Sequence, residues 1–110
     1  MKKINIGLLG FGNVGCGLVR LLQERKKLLK DKLGAELVIK KICDKDTKTR
    51  RGIKINRSLL TSNVKEFLRE RDIDIMVELI GGVHPAKEFV IEALKNKKHV
   101  VTANKALLAE

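Results

Sequence analysis

The chain has no Trp and no Tyr, and three Phe residues are its whole aromatic content. A core must therefore be assembled from Ile, Leu and Val, as in parallel sheets buried on both faces. Cysteine is nearly absent too: Cys16 and Cys43 stand alone, on what read as different elements. Their spacing fits no metal or redox motif, so each is expected to be a buried thiol rather than a catalytic one. No stretch approaches the roughly 18 consecutive apolar residues that span a bilayer. Behind Met1-Lys2-Lys3 the apolar run is soon interrupted at Gly7, Gly10 and Gly12, and no small-residue cleavage site follows. A cytoplasmic protein with no membrane partner is expected.

Charge of one sign is in excess, with 24 Lys and Arg against 13 Asp and Glu, for a net +11. Such basicity can mark a nucleic-acid binder. Here the clusters at Lys26-Lys27-Lys30-Lys32, Lys40-Lys41, Lys45-Lys48-Arg50-Arg51 and Lys95-Lys97-Lys98 are mostly interspersed with acids. No aromatic residues accompany them as stacking platforms. A solvated, Lys-rich surface without a nucleic-acid partner is the expected reading. At 110 residues, the chain suits one domain, spanning 1–110, and is too short for two.

Two periods alternate along the chain. Ile4 to Leu9 is a short apolar run that reads as a buried strand. From Asn13, residues Val14, Leu18, Leu21 and Leu22 fall on one face of a helix reaching to about Leu29, and Gly34 suits its C-terminal end. Leu37–Cys43 reads as a second strand, and Asp44–Arg57 as a polar loop. Asn63, with Glu66 three residues on, predicts a capped helix that turns Val64, Phe67 and Leu68 inward. Ile73–Ile80 is a third strand closed by Gly81-Gly82. Pro85 then opens a helix whose inward positions are Ala86, Phe89, Val90, Ala93 and Leu94. His99–Ala103 is a fourth strand, and Lys105–Ala109 begins another helix. This succession predicts an α/β, Rossmann-type, doubly wound parallel sheet. The chain stops as its last helix begins, so a piece of a longer protein is expected.

Gly10-Phe11-Gly12-Asn13-Val14-Gly15 is G-x-G-x-x-G. Alone the motif is weak, but here an apolar strand precedes it and an amphipathic helix opens inside it, as dinucleotide binding requires. Gly10 permits the tight turn, Gly12 lets a pyrophosphate approach the backbone, and Gly15 lets helix and strand pack closely. The helix start then holds the phosphates with bare N–H groups. Asp44 ends the second strand 29 residues after Gly15, more than the usual interval of about 20. The Lys-rich end of the first helix accounts for the excess. A carboxylate there accepts from a ribose 2′-hydroxyl and repels a 2′-phosphate, which favours NAD; Lys45, Lys48, Arg50 and Arg51 argue for NADP. Asp44 as a simple turn cap stays open. His84 reads as a surface turn or cap residue ahead of a general base. Glu78, a carboxylate in an apolar strand, needs a partner. It either faces the nicotinamide end of the crevice or accepts structural hydrogen bonds, the second being preferred.

Glu78-Leu79-Ile80-Gly81-Gly82, Pro85-Ala86, Ala93-Leu94 and the run His99–Ala109 resemble the homoserine dehydrogenase family. Val101-Thr102-Ala103-Asn104-Lys105 is the most specific piece. Leu8–Gly15 matches as well, while 44–63 is only loosely similar. The resemblance implies the NAD- or NADP-binding domain of an enzyme that interconverts L-homoserine and L-aspartate 4-semialdehyde, towards threonine and methionine. It implies that Gly10, Phe11, Gly12, Asn13, Val14 and Gly15 grip the pyrophosphate. Gly81 and Gly82 would line the crevice, and Thr102, Asn104 and Lys105 would approach the nicotinamide ribose. Lys105 would also reach the edge of the substrate site as the one catalytic candidate; by itself it reads as a solvated lysine. The family's principal catalytic lysine, its acidic substrate-binding residues and most of its dimer contacts lie in a second domain. The chain alone is therefore expected to be inactive, and the full-length protein a homo-oligomer. The competing readings are another two-domain dehydrogenase or reductase, and a dinucleotide-sensing module without chemistry.

Overall fold

The apolar run near the N-terminus becomes the central strand of a parallel sheet. In a computed structural model, which describes residues 2–46, 55–80, 86–96 and 98–102, β1 (Lys2–Leu9) lies between β2 (Ala35–Cys43) and β4 (Ile75–Glu78). β3 (Leu60–Thr61) pairs outside β2 and β5 (His99–Thr102) outside β4, giving the order β3-β2-β1-β4-β5. All four pairings are parallel. This is the doubly wound Rossmann arrangement, in which the chain winds outward one way from β1 and then returns to wind the other way.

The residues of β1 explain why helices cover both faces. Ile6 and Leu8 point to one side, where they pack with Val19, Leu18 and Leu22 of α1 (Asn13–Glu24). Leu9 points to the other, against Phe67 and Leu68 of α3 (Val64–Arg69) and Ala93 of α4 (Ala86–Lys95). Alternation along a strand thus serves two separate apolar layers. As read from the sequence, the side chain of Asn63 caps α3, its Oδ1 accepting from the Glu66 N–H at 3.1 Å. Among the described residues no helix is long and apolar enough to cross a membrane.

Several details differ from the sequence reading. The first helix does not run to Leu29: it ends at Glu24, and α2 (Lys26–Leu33) begins after Arg25 and contributes no buried residue. Its C-terminal Gly34 is left-handed at φ 66°, as expected of a helix-ending glycine. The inward stripe of α1 is Gly15, Leu18, Val19 and Leu22, so Val14 and Leu21 face outward at 66% and 50% exposure. The reason is that α1 packs at Gly15 against the Gly10 carbonyl and the Leu79 side chain, and one residue is about 100° of helical turn. Leu94, next to fully buried Ala93, faces outward in the same way. β3 was not foreseen, because two residues carry no periodic signal. Lys98 does not belong to a solvated cluster: it is buried, and its Nζ donates to the Glu70 carbonyl. Desolvation lowers its pKa, opposed by the charges of Glu70 and Asp74. Residues 47–54, 81–85 and 103–110 lie outside the described residues, and with them His84, Pro85, the helix expected from Lys105 and most of the 44–57 loop.

Candidate functional site

The pairing register aligns Thr61, Cys43, Leu9, Glu78 and Thr102 in one row across the carboxyl edge of the sheet. Immediately beyond this row the glycine loop leaves β1. Gly10 N–H donates to the Cys43 carbonyl at 2.8 Å, and Leu79 N–H to the Leu9 carbonyl at 2.9 Å, so the loop starts from a strand held on both sides. The winding direction reverses between β1 and β4, and open sheets of this kind take ligands at that reversal, beyond the strand ends.

The three motif glycines have three different reasons to be glycine. Gly10 has φ +110°, a conformation that L side chains rarely adopt. A Cβ on Gly15 would sit 2.8 Å from the Gly10 carbonyl oxygen, so the close packing of helix on loop excludes one. Among the described residues a Cβ on Gly12 would meet nothing within 4 Å. Packing against the described residues therefore gives no reason for glycine at position 12. The exposed helix start behind it, with Asn13 and Val14 both open to solvent, leaves the backbone accessible to an anion.

Asp44 is half-buried and already engaged. One carboxylate oxygen accepts from the Phe11 N–H at 2.7 Å and the other from the Asp46 N–H at 2.9 Å. The acid at the tip of β2 thus clamps the glycine loop as well as closing its own turn. Each carboxylate oxygen has a second lone pair, so hydroxyl binding is compatible with the clamp. Phe11 belongs to the loop only through its backbone: its side chain is 2% exposed, in the layer beneath α1.

A cavity of about 310 Å³ opens beside Asp44. Its floor is Leu9, Gly10 and Cys43, its apolar walls are Val64, Ile80 and Phe89, and Asp44, Lys45 and Ser62 stand at its polar side. An apolar slot with a few polar groups at one end suits a flat heterocycle joined to a polar sugar. Ser62, Ile80 and Phe89 escaped the sequence reading as site residues; Ser62 follows the unforeseen β3, and the other two carry no motif. Burial pushes the Cys43 thiol up to about 11, reinforced by the negative charge of Asp44, so it is an unreactive floor residue.

On the far side of the reversal, fully buried Glu78 accepts from the Ile80 N–H at 2.8 Å and from the Thr102 hydroxyl at 3.2 Å. Thr102, the last residue of β5, therefore lies at the carboxyl edge of the sheet. Gly81, Gly82, Asn104 and Lys105 are outside the described residues.

The model of the family described as homoserine dehydrogenase, NAD binding domain, matches residues 10–110. The chain belongs to this family. It is 41% identical over 109 residues to the homoserine dehydrogenase of Bacillus subtilis, covering 99% of this chain and 25% of that protein. A homoserine dehydrogenase of Neisseria gonorrhoeae is 42% identical over 110 residues, covering 100% of this chain and 25% of that protein. Among solved structures, the homoserine dehydrogenase of S. aureus superposes with a TM-score of 0.87 at 45% identity, over 97% of this chain and 28% of that one. A levoglucosan dehydrogenase, 19% identical with a TM-score of 0.67 over 93% of this chain and 27% of that one, shares the fold. The chain thus spans about a quarter of the length of the homoserine dehydrogenases it matches. Membership of this family removes the reading as the cofactor domain of some other two-domain dehydrogenase.

Proposed function

We propose that this chain is the cofactor-holding domain of an NAD-dependent homoserine dehydrogenase, with residues 1–110 forming that one unit. The observation that carries the proposal is the approach over Gly12, clear of every described residue, between a glycine fixed by its turn and a glycine fixed by packing. A dinucleotide pyrophosphate would take that approach, against the N-terminus of α1. Its adenosine would enter the cavity beside Asp44, and its nicotinamide half would extend over β4 and β5. When bound, the nicotinamide supplies or accepts a hydride; this chain's residues hold and orient it. Asp44 would accept from the adenosine ribose, which favours NAD over NADP.

Gly81 and Gly82 would line the crevice, and Thr102, Asn104 and Lys105 would approach the nicotinamide ribose. Lys105 would reach the substrate edge. Oxidation of L-homoserine to L-aspartate 4-semialdehyde would belong to the complete, oligomeric protein, since the relatives are about four times as long. Titration calorimetry with NADH tests the cofactor reading. Gly12→Val should fold normally, because no described residue stands within 4 Å of a Cβ there, and should bind NADH at least about tenfold more weakly, about 1.4 kcal/mol. Equal affinity in the variant would overturn the assignment of the loop.

A further inference from the structure

Glu78 is a carboxylate with no exposed surface, in a strand otherwise made of Ile75, Met76 and Val77. An apolar side chain of similar size would fill the same place without the cost of desolvating a charge. Its presence therefore calls for a task that an apolar residue cannot perform. The hydrogen bonds supply one. Oε2 accepts from the Ile80 N–H, in the segment leaving β4, and Oε1 accepts from the hydroxyl of Thr102, the last residue of β5. Glu78 and Thr102 are also the final register pair of these strands. One side chain thus ties two chain segments together where their backbone ladder stops. In the sequence Ile80 is followed by Gly81-Gly82, and Thr102 by Ala103-Asn104-Lys105.

We propose that Glu78 is a positioning residue for the nicotinamide half of the crevice. Resting on the dinucleotide reading above, it sets the spacing of the β4 and β5 ends before the ligand arrives. Asp44 has the matching task at the other half, where it fastens the glycine loop to the end of β2. The two carboxylates lie on opposite sides of β1, so each half of the ligand has its own clamp. The division predicts that loss of Glu78 damages one half only.

The experiment compares two ligands on this chain: NADH, and ADP, which has the adenosine and pyrophosphate but no nicotinamide riboside. Glu78→Leu keeps the bulk, suits the apolar strand and removes both acceptors. It should weaken NADH by about tenfold while leaving ADP within about twofold, because the preorganised spacing is lost. Glu78→Gln keeps one oxygen acceptor, now neutral, and turns the other into an NH2 donor, so it should weaken NADH by about threefold and spare ADP. Either variant weakening both ligands by the same factor, or neither, overturns the role of Glu78. Should Glu78→Leu not fold, Glu78→Gln decides alone. A wild-type chain that binds neither ligand overturns the dinucleotide reading itself, a result distinct from these.

Discussion

At the scale of single residues, the site is organised by side chains and backbone atoms that hold each other ahead of any ligand. Asp44 shows this most clearly, since its carboxylate takes N–H groups from both the glycine loop and its own turn. Two functions in one side chain make a test of cofactor choice informative. Asp44→Ala should weaken NAD by removing both the ribose acceptor and the loop clamp. NADP should lose less, because removal of the clamp is offset by relief of repulsion between carboxylate and 2′-phosphate. Two unit charges about 4 Å apart near a protein surface interact by about 4 kcal/mol at most, so even part of that repulsion would be visible. The expected result is NAD ahead of NADP in the wild type and a preference that narrows or reverses in the variant, read from both dissociation constants. A preference left unchanged would reduce Asp44 to the clamp and the turn. The sequence located Asp44 and the glycines because strand, loop and helix follow in a fixed order there. It could not reveal the Phe11–Asp44 hydrogen bond, which joins residues 33 positions apart.

At the scale of elements, what the sequence disclosed depended on length and on where helices touch the sheet. β1, β2, β4 and α4 carry enough apolar residues to impose a period, and all were recognised. β3 has two residues, too few for any period, and the pocket residue Ser62 was missed with it. α1 was recognised but rotated by one residue, because the valines and leucines at positions 14 to 22 fit two neighbouring stripes and only the Gly15 contact selects one. α3 illustrates the opposite case, a short helix identified by its cap. Its six residues place Phe67 and Leu68 at 0% and 3% exposure, so a weak helix holds up one apolar layer. Asn63→Ala removes the side-chain acceptor for the Glu66 N–H and should cost about 1 kcal/mol. Urea denaturation should show this as a lower midpoint at unchanged slope. No change in midpoint would mean that packing of Phe67 and Leu68 alone sets the helix start.

At the scale of the whole molecule, two ionisable groups shifted by burial among the described residues pull stability in opposite directions in alkali. Cys43 is 2% exposed and its thiol is raised from 9.0 to about 11, by burial first and by the Asp44 charge second. Between those values the folded chain keeps a proton that the unfolded chain releases. Stability from this group is therefore complete below pH 9.0 and is lost as pH rises through about 11. Two units amount to about 3 kcal/mol at most, at 1.36 kcal/mol per unit. Lys98 is the reverse case: burial lowers its folded pKa, so the unfolded chain holds the extra proton and stability rises with pH towards 10.5. A wild-type profile would mix the two with the titration of many surface lysines. The difference between wild type and Cys43→Ala cancels the lysines and isolates the thiol. The variant should be less stable by about 1 kcal/mol near neutral pH, where only the sulfur's packing is lost. As pH climbs from about 9 to about 11 that gap should close and then reverse, because the variant has no buried thiol to ionise. Denaturant midpoints across this range measure it. A gap that stays constant would show that Cys43 keeps an ordinary pKa in the folded chain, and that the floor of the cavity is wetter than its buried residues imply.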